Sequence, residues 1–337
     1  MLKVPIRRLP GALGALALLL NACGGPATSA STAAKPSASA PGPASGALKT
    51  MKIAVPTKGS AFAYLYVASD LGFFKNHGID AQIAVIPPSN AVAALEGDLD
   101  YTATVGSTIR AALRGLPVRV VMVGSNRPDF VVLGAKGLAS IEQLRGKTLG
   151  VDAPQTTSNV MLTELLKRKG IPASDYKTLT AANDEARMAQ LTSGQVAASI
   201  VEVSTAVLFQ KQGYPTLANT GEFPEAPFVG LGAAQSALEK KRDLLASGMQ
   251  AVIEGVAAMR TQKDKVVPVM VKEFGLANED AGAIYDGLRA SWTTDGKPSQ
   301  AATEFELTND QQTMELKQAP TPDQVYDFSL LESLTKR

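Results

Sequence analysis

From Thr50 to about Gly213, short apolar runs alternate with stretches of helical spacing, and no other feature constrains the fold as tightly. "MKIAV" (51–55) is a predicted strand, Gly59-Ser60 opens a helix that ends near "LGFFKNHG", and "IDAQIAVI" is the next strand. Ser89 is placed to N-cap "NAVAALEG". "DYTATV" follows as a third strand, and Gly106-Ser107 opens "TIRAALRG" before the strand "VRVVMVG". Strands of this length separated by helices of about ten residues predict a mainly parallel sheet covered on both faces. The plan then repeats: "DFVVLGA" (129–135), "SIEQLRG", "KTLGVD", "TTSNVMLTELLKRKG", "YKTLT", "NDEARMAQLTSG", "VAASIVE" and "VSTAVLFQKQG". The repetition predicts two α/β lobes. Beyond a further strand, "FVGLGAA" (228–234), the chain reads as helical, with segments near 264–274 and 279–291 expected to pack back on the first lobe.

Ahead of these lobes the composition changes. Lys3, Arg7 and Arg8 precede the apolar run Leu9–Leu20, and "LNAC" ends at Cys23, the single cysteine of 337 residues. The pattern is that of a signal peptide over residues 1–22, similar to a bacterial lipoprotein signal with Cys23 as the acylated residue. The run is too short for the roughly 20 apolar residues that span a bilayer. Residues 24–49, rich in Gly, Pro, Ser and Ala, hold almost nothing to bury and read as a flexible tether with a reach of roughly 28 Å. One cysteine excludes a disulfide framework or a cysteine-rich zinc site. Cleavage before Cys23 leaves 30 basic against 31 acidic residues, a balance that speaks against nucleic-acid binding.

Several segments carry a resemblance. "YVASDLGFFKNHGIDAQI" (66–83), "ALEGDLDYT" (94–102) and "ALRGLPVRVV" (112–121) are similar to the first lobe of the type II periplasmic binding proteins of the nitrate, taurine, alkanesulfonate and thiamine-precursor group. "IEQLRGKTLGV" (141–151) and "QLTSGQVAASIVE" (190–202) resemble the second, with Ala198 in place of the usual Asp. The resemblance implies a two-lobed fold with lobe 1 over 50–132 and 228–337 and lobe 2 over 133–227. It further implies a lipid-anchored, extracytoplasmic, monomeric protein that closes on a small solute and hands it to an ABC permease driven by an ATPase. No cofactor, metal or catalytic residue is expected. Two alternatives remain at this point: a tethered ligand sensor, and an enzyme similar to the thiamine-pyrimidine synthases, which use an active-site histidine and a cysteine-rich motif.

In parallel α/β sheets, ligands bind beyond the carboxyl ends of strands, where helix N-termini expose N–H groups. That rule selects Ser60 and Ala61 beside Gly59, Ser107 and Thr108 beside Gly106, and Arg127, all in lobe 1. In lobe 2 it selects Thr156, Thr157 and Ser158 beside Gln155, then Glu202 and Ser204. Tyr64, between Phe62 and Tyr66, is placed to cover a flat ligand. Glu202 would repel a sulfonate and accept hydrogen bonds from an amine or aminopyrimidine, whereas helix N-termini and Arg127 suit an anion. The single histidine, His77, sits in a turn, and "GDLDY" reads as a turn into a strand instead of a catalytic carboxylate pair.

Overall fold

The computed structural model describes residues 47–335. The signal peptide, the lipidated Cys23 and residues 24–46 of the tether lie outside the described residues, so those readings stand as expectations, while Lys49, read as the end of the tether, already belongs to the first strand. No helix among the described residues is long and apolar enough to cross a membrane.

Among the described residues, ten strands form two five-stranded sheets. β1 (Lys49–Val55), β2 (Ile79–Val85), β3 (Tyr101–Thr104) and β4 (Val118–Ser125) belong to the first, and β5 (Phe130–Gly134), β6 (Thr148–Val151), β7 (Lys177–Thr180), β8 (Ala198–Glu202) and β9 (Thr216–Ala218) to the second. β10 (Val229–Ala234) returns to the first. The orders are β2-β1-β3-β10-β4 and β7-β6-β8-β5-β9. Both sheets are α/β layers flanked by helices, the two-lobed fold the alternation implied. Each also contains one strand running against its neighbours: β10 is antiparallel to β3 and β4, and β5 to β8 and β9. These are the strands by which the chain enters the second sheet and returns from it, so they arrive from the opposite lobe and not from a crossover helix.

Local chemistry fixes the elements. β1 is paired in parallel on both sides, and Ile53, Ala54 and Val55 are buried, as in a strand covered by helices on both faces. Thr156 and Asn183 cap their helices by accepting hydrogen bonds from Asn159 N (3.5 Å) and Ala186 N (2.9 Å). Ser89 is not the cap expected of it. The helix runs Pro88–Ala94, because a proline with fixed φ in the first helical position starts the helix one residue earlier. Of the later helices, Lys263–Phe274 packs against the helices Ala63–Asp70 and Arg242–Thr261, whereas Asn278–Leu288 also contacts the helix Val203–Gln210 of the second lobe, where Asp280 pairs with Lys211. The helix Arg242–Thr261 crosses the helix Ala63–Asp70 so closely that a Cβ on Gly255 would stand 2.4 Å from the Tyr64 carbonyl oxygen. Beyond them a further helix, Gln300–Thr313, reaches back to the helix Val105–Leu113 through a buried ion cluster.

Candidate functional site

The carboxyl ends of β1 and β8 face each other across the two sheets, and residues from both lobes meet there. Glu202 ends β8 and precedes the helix Val203–Gln210. Its Oε2 accepts a hydrogen bond from Ala61 N (3.2 Å), while Ser60 N donates to Ser204 Oγ (2.9 Å). Ser60 Oγ accepts from Ser204 N (3.2 Å) and donates to Asp129 Oδ2 (2.6 Å). A Cβ on Gly59 would stand 2.2 Å from Glu202 Oε2, so the first lobe admits the Glu202 side chain only because residue 59 has no side chain.

A second seam lies at the ends of β3 and β6. Arg110, fully buried in the helix Val105–Leu113, donates from Nε to the Gln155 carbonyl (2.6 Å) and from Nη2 to Thr157 Oγ1 (3.1 Å), both in lobe 2. Its Nη1 is held at 2.7 Å from Glu306 and 3.1 Å from Asp310 on the helix Gln300–Thr313. Gln155 has a left-handed φ of 63°, an uncommon conformation for a residue with a side chain, and its carbonyl is the one Arg110 grips. Gly106 sits under this contact. A Cβ there would be 2.4 Å from Thr157 Oγ1 and 2.5 Å from Arg110 Nη2.

Between the seams is a residual cavity of about 40 Å³, space for no more than a few water molecules. Lobe 1 walls it with Thr57, Phe62, Thr104 and Ser107, and lobe 2 with Asp152, Thr156, Thr157, Ser158, Asn183, Asp184, Arg187 and Glu202. Phe130 and Phe228, from the two connections between the lobes, close its side with their rings edge to face at 5.0 Å. Arg187 is buried and pairs with both Asp152 and Asp184, and its Nε has no hydrogen-bond partner. Asp184 Oδ2 accepts from Glu202 N (2.9 Å), and Asp152 accepts from Ser158 Oγ (2.5 Å).

Burial dominates the electrostatics. It pushes the Asp184 carboxyl up to about 7, and that of Asp129 up to about 6 against the hydrogen bond from Ser60. Glu202 is raised well above the usual carboxylate range, first by burial and then by the neighbouring Asp184 and Asp129. Burial lowers Arg187 to about 10, opposed by the charge of Glu202. Among the described residues no group of three or more His, Cys, Asp or Glu is arranged to hold a metal ion.

Of the residues selected from the sequence, Ser107, Thr156, Thr157, Ser158 and Glu202 line the cavity together, and Ser60 and Ala61 form the seam beside it. Tyr64, Thr108 and Arg127 do not reach it. Tyr64 is fully buried in lobe 1, donates to the Gly230 carbonyl (2.7 Å) and packs against Trp292, because its position in the helix points it at the sheet. The Thr108 hydroxyl donates to the Thr104 carbonyl one turn back (2.8 Å). Arg127 is largely exposed and pairs with Glu225 on the outer surface (3.1 Å). The residues that sequence reasoning missed are Asp129, Asp152, Asn183, Asp184 and Arg187, with Phe130 and Phe228. Asp152 and Asn183-Asp184 follow β6 and β7 directly, so the strand-end rule already pointed at their loops. Arg187 lies a full turn inside its helix and carried no signal.

The family model described as NMT1/THI5 like matches residues 60–265, more than half of the chain. No curated protein sequence matches it. Among solved structures, the ligand-binding component of an ABC-type import system from Staphylococcus aureus, with zinc bound, superposes with a TM-score of 0.71 at 18% identity, covering 86% of this chain and 100% of that one. The periplasmic nitrate-binding protein NrtA from Synechocystis PCC 6803 gives 0.67 at 14% identity, covering 86% and 89%. The periplasmic aliphatic sulphonate-binding protein SsuA from Escherichia coli gives 0.64 at 19% identity, covering 84% and 99%. At these identities the likeness establishes the fold. With the two-lobed architecture and the family match over residues 60–265, the chain belongs to the NMT1/THI5-like family.

Proposed function

We propose that this protein is the solute-binding component of an ABC-type importer, held outside the cytoplasm by an acyl group on Cys23 and able to move on the tether that precedes β1. It captures a small solute between lobe 1 (50–132 and 228–337) and lobe 2 (133–227) and presents the closed form to a permease and its ATPase. The observation that carries this reading is a small cavity whose walls come from both lobes and whose seams are cross-lobe hydrogen bonds: Ser60 to Ser204, Ala61 to Glu202, and Arg110 to Gln155 and Thr157. A solute seated there touches Ser107 from one side and Thr156, Thr157, Ser158 and Glu202 from the other. Entry requires the lobes to part, so solute contacts made only in the closed form shift the closure equilibrium. The structural neighbours, a nitrate-binding protein, a sulphonate-binding protein and the ligand-binding component of an import system, agree with this reading.

A catalytic reading has less behind it. The single histidine, His77, pairs with Glu254 (2.6 Å), and neither residue lines the cavity. The test is native mass spectrometry of the protein from its own host, followed by thermal shifts with the released compound. A co-purifying small molecule that stabilises the protein unchanged is expected. Chemical turnover of that molecule refutes the importer reading in favour of an enzyme. Replacement of Cys23 with Ser is expected to abolish acylation and release the protein from the membrane fraction.

A further inference from the structure

Arg110 is divided between two sets of acceptors, and the division bears on the lobe movement proposed above, on which this inference rests. From the helix Val105–Leu113 its Nε and Nη2 reach across to lobe 2, to the Gln155 carbonyl and Thr157 Oγ1. Its Nη1 stays within lobe 1, against Glu306 Oε1 (2.7 Å) and Asp310 Oδ1 (3.1 Å). All three side chains are at most 1% exposed. Each carboxylate thus offers one oxygen to the same nitrogen. The second oxygens, Glu306 Oε2 and Asp310 Oδ2, are buried with no hydrogen-bond partner.

A guanidinium and a carboxylate pair best as a fork, with two parallel N–H···O bonds from two nitrogens to two oxygens. Here the fork is half made. Nη1 is in place, and the nitrogen that would complete it, Nη2, is bonded to Thr157 in the other lobe. One guanidinium leaves the two carboxyls undercompensated, and burial raises both, opposed by the charge of Arg110. When the lobes part, Thr157 and the Gln155 carbonyl leave with lobe 2, whereas Arg110, Glu306 and Asp310 all stay on lobe 1.

We propose that Arg110 is a two-position latch: in the closed form it bonds lobe 2 through Nε and Nη2, and in the open form it turns about Nη1 to complete a bidentate pair with Glu306 Oε2 or Asp310 Oδ2. The acceptors that the closed form leaves bare stabilise the open form, so the empty protein is not trapped shut. The test is the ligand-free distance distribution between spin labels at exposed positions 96 and 177 of the full-length chain with Cys23→Ser, at pH 8, where the Glu306 carboxyl, raised to about 7, is ionised. Glu306→Gln keeps an acceptor for Nη1 and puts an NH2 group where Oε2 was, so the open form loses its fork while the closed form keeps its bonds to lobe 2. The ratio of closed to open is expected to rise roughly tenfold, the low end for a hydrogen bond to a charged group because water enters the open seam. Asp310→Asn is expected to act in the same direction and carries the test where Glu306→Gln does not fold. Combined with Thr157→Val, which takes the lobe 2 acceptor from Nη2, Glu306→Gln is expected to favour closure no longer. A ratio that falls in Glu306→Gln overturns the latch, since the carboxylates then only brace Arg110 toward lobe 2, and an unchanged ratio overturns it as well. Neither result touches the proposed function. One distance in every variant, together with no solute retained in native mass spectrometry, overturns both.

Discussion

Gly106→Ala tests the seam between the lobes. Gly106 is the second residue of the helix Val105–Leu113, so alanine there adds up to about 1 kcal/mol of helix stability, set against close contacts with Arg110 and Glu306 inside lobe 1. In the closed form the new Cβ stands 2.4 Å from Thr157 Oγ1 and 2.5 Å from Arg110 Nη2, against an ordinary limit near 3.4 Å. The Arg110 guanidinium has little room to yield, since Glu306 and Asp310 hold its other edge in a fully buried position. Lobe 2 must withdraw by about 1 Å to clear Thr157, and the Arg110 side chain must shift within lobe 1. That withdrawal loosens the bonds from Arg110 to Thr157 and to the Gln155 carbonyl, each worth about 1.5–3 kcal/mol for a charged donor. Loss of one of them shifts the closure equilibrium toward the open form by roughly ten- to a hundredfold, and apparent solute affinity falls by the same factor.

The assay is the distance between spin labels at positions 96 and 177, which are exposed residues of the first and second lobes, in a Cys23→Ser background. The Gly106→Ala variant is expected to lose the short-distance population, with at most a modest fall in melting temperature from the shift of Arg110. An unchanged distance distribution with unchanged affinity refutes the reasoning, because it means the Cβ is absorbed without opening and the Arg110 seam does not hold the lobes. A fall in melting temperature of many degrees also refutes it, by placing the damage inside lobe 1.

Two further outcomes follow from the same geometry. Asp129 and Asp184 have carboxyls raised to about 6 and about 7 in the closed form, from an ordinary value of 3.8. The closed form therefore holds protons that the open form gives up, so its stability is full in acid and is lost as pH rises through about 6 to 7. The same spin labels are expected to report more ligand-free closure at pH 5 than at pH 8, and a flat profile across that range excludes the burial of these groups. Tyr64→Phe removes the hydroxyl that satisfies the buried Gly230 carbonyl and is expected to cost about 1–3 kcal/mol of stability in denaturant unfolding. Solute affinity is expected to stay unchanged, and an affinity loss without a stability loss would return Tyr64 to the binding site.

Most of the two sheets was legible in the sequence because their strands are short apolar runs bounded by glycine or a capping residue, whereas the three-residue edge strand β9 left no such run. The antiparallel course of β5 and β10 was not, since strand direction depends on which lobe the chain arrives from and leaves no local mark. The helix Gln300–Thr313 was also hard to read, for a definite reason: its buried face carries Glu306 and Asp310 beside Ala302 and Leu307, so hydrophobic periodicity fails where the helix is most constrained. Part of the candidate site followed from strand ends. Glu202, Thr156, Thr157, Ser158 and Ser107 occupy those ends, where backbone position alone decides exposure to the cleft. Tyr64 and Arg127 failed the rule because side-chain direction, which sequence does not fix, turns one into the core and the other to the surface.

Closure and ligand chemistry meet in Glu202. In the ligand-free closed form this carboxylate is buried with one hydrogen bond, a costly state unless it is protonated or neutralised. Opening the lobes returns it to water, so above neutral pH the empty cleft is biased open, and the Arg110 seam works against that bias. A solute that satisfies Glu202 removes the cost only in the closed form, which is the differential affinity a conformational change requires. Glu202 thereby couples closure to the solute that meets it. The two glycines, Gly59 and Gly106, leave the space into which the Glu202 and Thr157 side chains of the second lobe fit when closure is complete.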